Sequence, residues 1–114
     1  MADALKLLVT EGAGSRTPAA ATLTKIYDVP DAASAMLSRI IICNTSAVPT
    51  AFRIAIIEPA GSIALDHYIA YDVPIAGNET INFAIGAGMA ADTQVWVYNT
   101  LATLTFTPCG IEVT

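Results

Sequence analysis

The strongest hydrophobic patterning lies between Leu37 and Glu58, where Ile40, Ile41 and Ile42 form one β-branched run and Phe52, Ile54 and Ile56 alternate with Arg53, Ala55 and Ile57. β-Branched side chains are stiff at χ1 and fit a pleated surface, so both runs read as strands. Between them, Asn44-Thr45-Ser46-Ala47-Val48-Pro49 supplies turn formers and a proline that breaks a continuous ladder. The pattern predicts an antiparallel pair at the centre of an all-β domain.

Further strands follow by the same criteria. Thr22 to Val29 is rich in threonine and apolar residues and is closed by Pro30. Asp66 to Val73, Glu79 to Ile85, Gln94 to Asn99 and Leu104 to Val113 continue the series. Period-two alternation is clearest where Ile81, Phe83 and Ile85 oppose Asn82 and Ala84, and where Val95 and Val97 oppose Trp96 and Tyr98. Gly61 with Ser62, and the stretch from Gly86 to Asp92, are read as loops. Pro108 is expected at a bulge or an edge, because central ladders reject proline. No window shows a helical face; Ala32 to Met36 is the one place for a single helical turn.

Tyr27-Asp28-Val29-Pro30 recurs as Tyr71-Asp72-Val73-Pro74, each copy closing an apolar strand before a small-residue loop. That repeat suggests two sheets built by similar means. About seven to eight short strands with frequent turns give a single-domain β-sandwich or jelly roll. Ahead of it, residues 1–18 hold the apolar run Ala4 to Thr10 and a Gly/Pro-containing break, read as an edge strand of the same domain or an arm that adds to a neighbour's sheet. Residues 19–114 are the domain proper.

Composition adds one point. In 114 residues, 54% are hydrophobic and 13% charged, about half the charge of an average soluble domain. A small domain has much surface, and here few charges cover it, so part of that surface is expected against partners. The net charge of −5 combines ten acids with Lys6, Arg16, Lys25, Arg39 and Arg53, which form no stripe. Direct nucleic-acid binding is therefore not expected. No run approaches the length that spans a bilayer and no basic leader is present, which points to a cytoplasmic setting without membrane attachment. Cys43 and Cys109 lack CxxC spacing and read as buried free thiols. The acceptor patterns at Asn44 and Asn78 read as turn residues.

The residues with chemical potential do not assemble into a reaction centre. His67 is the only histidine, so a multi-imidazole metal site is out of reach, and no nucleophile motif flanks Ser38, Ser46, Cys43 or Cys109. An exposed or partly packed strand histidine is the simpler reading. Asp28, Asp31, Asp66, Asp72, Glu79 and Asp92 lie near strand ends without a dense calcium-type loop, and read as solvated carboxylates. Gly12-Ala13-Gly14 and Gly86-Ala87-Gly88 are followed by no helix that could hold a phosphate. Trp96 and Tyr98 share one face, with Tyr68, Tyr71 and Phe106 as further aromatics; a subunit contact uses that face more economically than a sugar platform. Catalytic, cofactor and metal residues are accordingly expected to be none. The interface candidates are Leu5, Leu7, Val9 and Arg16 in the arm, with Trp96 and Tyr98 in the domain.

Four segments resemble a group of small virion proteins of tailed bacteriophages: Ile26-Tyr27-Asp28-Val29-Pro30, then Ser38-Arg39-Ile40-Ile41-Ile42-Cys43-Asn44-Thr45-Ser46, then Phe52 to Ile56, then Tyr68 to Tyr71 followed by Val73-Pro74-Ile75-Ala76-Gly77-Asn78-Glu79-Thr80. In that group a YxVP strand end precedes an SxIxxCNxS strand, and a PIAxNxT turn follows. The resemblance spans residues 22–113 and implies a jelly-roll or β-sandwich structural protein without enzymatic activity. It further implies a head decoration, or cement, protein binding the major capsid lattice as a homotrimer, in a virion assembled in the host cytoplasm. Neck, tail or baseplate placement is one alternative, and a carbohydrate-binding module for host attachment is another. The matching positions are fold-determining, so no family functional residue carries over.

Overall fold

The computed structural model describes residues 5–8 and 16–113. Its strands are β1 (Leu5–Leu7), β2 (Thr24–Asp28), β3 (Ser34–Asn44), β4 (Thr50–Ile57), β5 (Tyr68–Ile75), β6 (Thr80–Met89), β7 (Gln94–Asn99) and β8 (Leu104–Val113), with a 3₁₀ turn at Leu65–His67 before β5. They form two four-stranded sheets, β1-β8-β3-β6 and β2-β7-β4-β5, in which every pairing is antiparallel. Every connection crosses from one sheet to the other except β4 to β5. This order is that of a jelly roll, a double-sheet sandwich of eight strands.

β3 and β4 do not pair with each other, contrary to the antiparallel pair expected from the sequence; each lies inside a different sheet. The reason is the corner between them. Asn44 is buried at 1% exposure, and its Nδ2 donates to the carbonyls of Val48 (2.9 Å) and Ala76 (3.1 Å) while its Oδ1 accepts from the Ser46 N–H (3.1 Å). The Asn44 N–H donates to the Glu79 carbonyl and the Asn78 N–H to the Ser46 carbonyl. The β3–β4 corner is thereby stapled to the β5–β6 turn, and the chain must leave one sheet for the other. Contact is so close that a Cβ on Gly77 would clash with the Ala47 carbonyl oxygen. Asn78 takes a left-handed φ of 57°, a conformation asparagine tolerates.

The core is the meeting of the inward rows. Ile40 and Ile42 from β3 and Phe106 from β8 face Phe52 and Ile54 from β4 and Val95 and Val97 from β7, all fully buried. Phe52 sits edge-on to both Phe83 (6.3 Å) and Phe106 (6.2 Å), which joins the sheets through aromatic contacts. Leu8, just beyond β1, is fully buried in this core, and its N–H donates to the Pro108 carbonyl. β1 is thus an edge strand of its own sheet, paired with β8. Tyr27 spans the sandwich from the β2 side, its hydroxyl donating to Glu112 of β8.

Several boundaries differ from the sequence reading. β6 runs on through Gly86 to Met89, where a loop was expected, because Gly86 at φ 75° absorbs an extra residue and lets pairing with β3 resume. Ala32 takes φ 62° and β3 begins at Ser34, so no helical turn forms there. Pro108 lies within β8, beside the register shift between Leu37 and Arg39 and just past the end of β1. The two Tyr-Asp-Val-Pro copies lie in the same sheet at opposite edges. Tyr27 points into the core, whereas Tyr71 is exposed in a strand that continues through Pro74. Cys43 and Cys109 are free and half-buried rather than buried. Cys43 pairs with Thr105 and Cys109 with Arg39, so four residues of strand, about 13 Å, separate them, well beyond disulfide reach.

Two predictions follow from these contacts. Asn44→Ala leaves the Val48 and Ala76 carbonyls without their donor and should cost about 1–3 kcal/mol, read as a lower denaturant midpoint with an unchanged slope. Burial, and then the facing Glu112 carboxylate, hold the Tyr27 phenol far above its ordinary value. The folded-state value exceeds the unfolded one, so Tyr27's contribution is complete below about pH 10 and declines above it, as only the unfolded chain ionises. Denaturant midpoints measured from pH 8 upward should stay level on this account and then fall, and the fall should be shallower in Tyr27→Phe.

Candidate functional site

Alternation along β4 and β7 sends one row of each strand to the outer face of the β2-β7-β4-β5 sheet. With Phe52 and Ile54 inward, Arg53 points out; with Val95 and Val97 inward, Trp96 and Tyr98 point out. Register places Arg53 beside Tyr98 and Ala55 beside Trp96. On the other flank, β5 carries a bulge between its pairings Phe52↔Val73 and Ile54↔Ala70, where Asp72 adopts φ 52°. The extra residue leaves Tyr71 and Asp72 both on the exposed side.

These positions converge on Arg53. Its guanidinium lies 4.2 Å from the Tyr71 ring centre and 4.3 Å from that of Tyr98, held between two π faces. Nε donates to Asp72 Oδ1 (2.7 Å) and Nη2 to Asp72 Oδ2 (3.4 Å), a forked pairing that orients the plane. The Asp72 hydrogen bond is the main cause of a further rise in the already high Arg53 pKa. Tyr68 meets Tyr71 edge-on at 4.9 Å. The result is a continuous strip, Tyr98, Arg53, Tyr71 and Tyr68, with a carboxylate at its rim.

Next to the strip, the β4–β5 connection folds back over the sheet and covers Ile57. His67 clasps it. The Ala64 N–H donates to Nδ1 (2.9 Å), which leaves the ring proton on Nε2 to donate to Glu58 Oε2 (2.6 Å). Under this flap lies a cavity of about 260 Å³, lined by Leu23, Ile57, Gly61, Ser62, Ile63, Gln94 and Trp96. The Trp96 Nε1–H donates to Gln94 Oε1 at 2.8 Å. Both His67 nitrogens are thus committed to holding the flap, and the groups the face exposes offer stacking, charge and apolar contact.

The sequence candidates divide between opposite faces of the sandwich. Trp96 and Tyr98 belong to the strip and cavity just described. Leu7 is 40% exposed on the outer face of the other sheet, where β1 brings it beside Cys109; Leu5 occupies the β1 position opposite Ile111. Two and four residues beyond Cys109 along β8, exposed Ile111, which pairs with exposed Met36, and exposed Val113 give that face an apolar end. Arg16 is half-buried against β8, where its carbonyl accepts the Phe106 N–H and its Nη1 donates to Thr107. Val9 falls outside the described residues. Among the described residues, no group of three His, Cys, Asp or Glu comes together as a metal site. Sequence reasoning placed Tyr71 only among the possible sugar-platform aromatics and Asp72 only among solvated carboxylates, and missed Arg53, which joins them; an arginine isolated on an otherwise apolar strand was the available signal. Compared with protein-family models, curated proteins and solved structures, the chain finds no match.

Trp96 is the sole tryptophan, so its emission reports on the cavity. His67→Ala should loosen the flap, shift that emission to the red and increase acrylamide quenching, with the sandwich's thermal transition little changed. Asp72→Asn removes the charge of a half-exposed pair while keeping a side chain that tolerates the left-handed φ of 52°, and should lower stability by no more than about 1 kcal/mol in a denaturant titration.

Proposed function

We propose that this chain is a structural protein of a tailed-bacteriophage particle, contributing binding energy rather than catalysis. Within that class it acts as a decoration protein that sits as a trimer on the capsid lattice and reinforces contacts between major capsid subunits. The observation that carries the reading is a jelly roll, an architecture used in viral capsids, whose weakly charged surface includes the exposed group Leu7, Met36, Ile111 and Val113. An apolar end of this kind stabilises an assembly by being covered. The phage-like motifs add support: Cys43-Asn44-Thr45-Ser46 and Pro74 to Thr80 meet at the Asn44 corner, so the resemblance rests on residues that maintain this topology.

A second reading, glycan binding, draws on the outer strip alone, where tyrosines flank a charged pair beside the Trp96 cavity. Saturable binding to a glycan array that is lost in Trp96→Ala would favour it. The deciding measurement is copy number in purified particles relative to the major capsid protein, together with the mass of the isolated protein in solution. Stoichiometry comparable to the capsid protein and a trimeric mass are expected. A small copy number would place the chain at the neck, tail or baseplate, and absence from particles would overturn the virion role.

A further inference from the structure

A sandwich has lateral strands with one unpaired side, and these four differ in how they are protected. β1 has three residues. β2 has five, carries Lys25 and breaks register between Lys25 and Tyr27. β5 holds the Asp72 bulge and Pro74. Short length, charge, bulges and proline are the devices that discourage another strand from pairing. β6 is ten residues long, from Thr80 to Met89, and contains neither charge nor proline. The Gly86 bulge is its one irregularity, and it leaves Thr80 to Ile85 as an uninterrupted stretch.

The side chains of β6 are also incompletely covered. Its inward row, Ile81, Phe83 and Ile85, packs against the core and yet remains only half-buried, because β6 is the last strand of its sheet. The outward row is small, and at Gly86 and Gly88 an added Cβ would meet nothing within 4 Å. Every second residue of β6 turns its N–H and C=O away from β3. The edge therefore offers main-chain hydrogen bonds, an apolar row to extend and room for a close approach.

We propose that β6 is the docking edge for an extended segment of a neighbouring particle protein, which adds as a fifth strand to the β1-β8-β3-β6 sheet. The inference rests on the virion role proposed above. Charge selects the occupant. Two copies would each carry a net charge of −5, and exposed Glu79 stands at the start of β6, while Asp92 has crossed to the other sheet beside Val29. A segment with alternating apolar residues, to cover Ile81, Phe83 and Ile85, and with Lys or Arg beside Glu79 complements both the row and the charge, whereas a second acidic copy does not.

The test is hydrogen exchange, read by mass spectrometry, on the full chain free in solution and bound to purified particles of the phage that carries it. Asn82→Lys and Ala84→Lys, on the exposed row, serve as edge-blocking variants. In the particle-bound protein, the amides of β6 that face away from β3 should exchange at least about tenfold more slowly than in the free protein. Both variants should keep the thermal transition of the parent and lose about tenfold in particle affinity. Binding with unchanged exchange along β6, or undiminished binding by both variants, overturns the edge and leaves the virion role standing. Protection of β6 in the isolated protein, appearing with a doubled mass as concentration rises, overturns the heterologous occupant in favour of a second copy. Failure of the parent chain to bind particles overturns the virion role and this partner together.

Discussion

The buried amide of Asn44 is the interaction on which the rest of the sandwich depends. It bonds at once to its own corner and to the β5–β6 turn more than thirty positions away in the chain. Two connections that pass between the sheets are thereby locked at one end of the molecule, which sets the spacing of β3, β4, β5 and β6 together. Phe52 then has a defined place between Phe83 and Phe106. An apolar residue at position 44 could fill the volume but could not serve three backbone groups. The corner is a case in which a polar side chain specifies topology and the apolar rows supply the larger part of the stabilisation.

With the core fixed, the two outer faces acquire different characters from the same alternation. One face is organised around Arg53, whose charge is shared between two tyrosine rings and one carboxylate, and the flap clasped by His67 lies beside it. The other ends in the apolar group around Met36 and Ile111, whose only nearby charge on the β3 row is Arg39. The two faces and the β6 edge thus present three different chemistries. That division is what the proposed place in an ordered assembly calls for, where contacts differ by direction.

Strands were legible in the sequence where period two was strict. Gln94–Asn99 and Leu104–Val113 have the bounds that alternation and turn residues gave them, and the opposite orientations of Val95 and Trp96 follow directly. Partnership was not legible. The Ile40 to Ile42 run and the Phe52 to Ile56 run each look like a neighbour for the other, and the contact that separates them involves Ala76 and Glu79, which no local pattern connects to Asn44. The site was half legible for a similar reason. Trp96 and Tyr98 could be assigned to an outer face, whereas the place of Tyr71 and Asp72 hangs on a bulge that shifts register by one residue. Identical Tyr-Asp-Val-Pro strings thus present one tyrosine to the core and the other to solvent.

The β4–β5 connection stands apart from the other six because it begins and ends in the same sheet. A change in its length therefore touches none of the crossings between the sheets. It is also the segment that roofs the Trp96 cavity. The chemistry of this face is consequently uncoupled from the crossovers that set the fold: the flap can change length without moving the Asn44 corner.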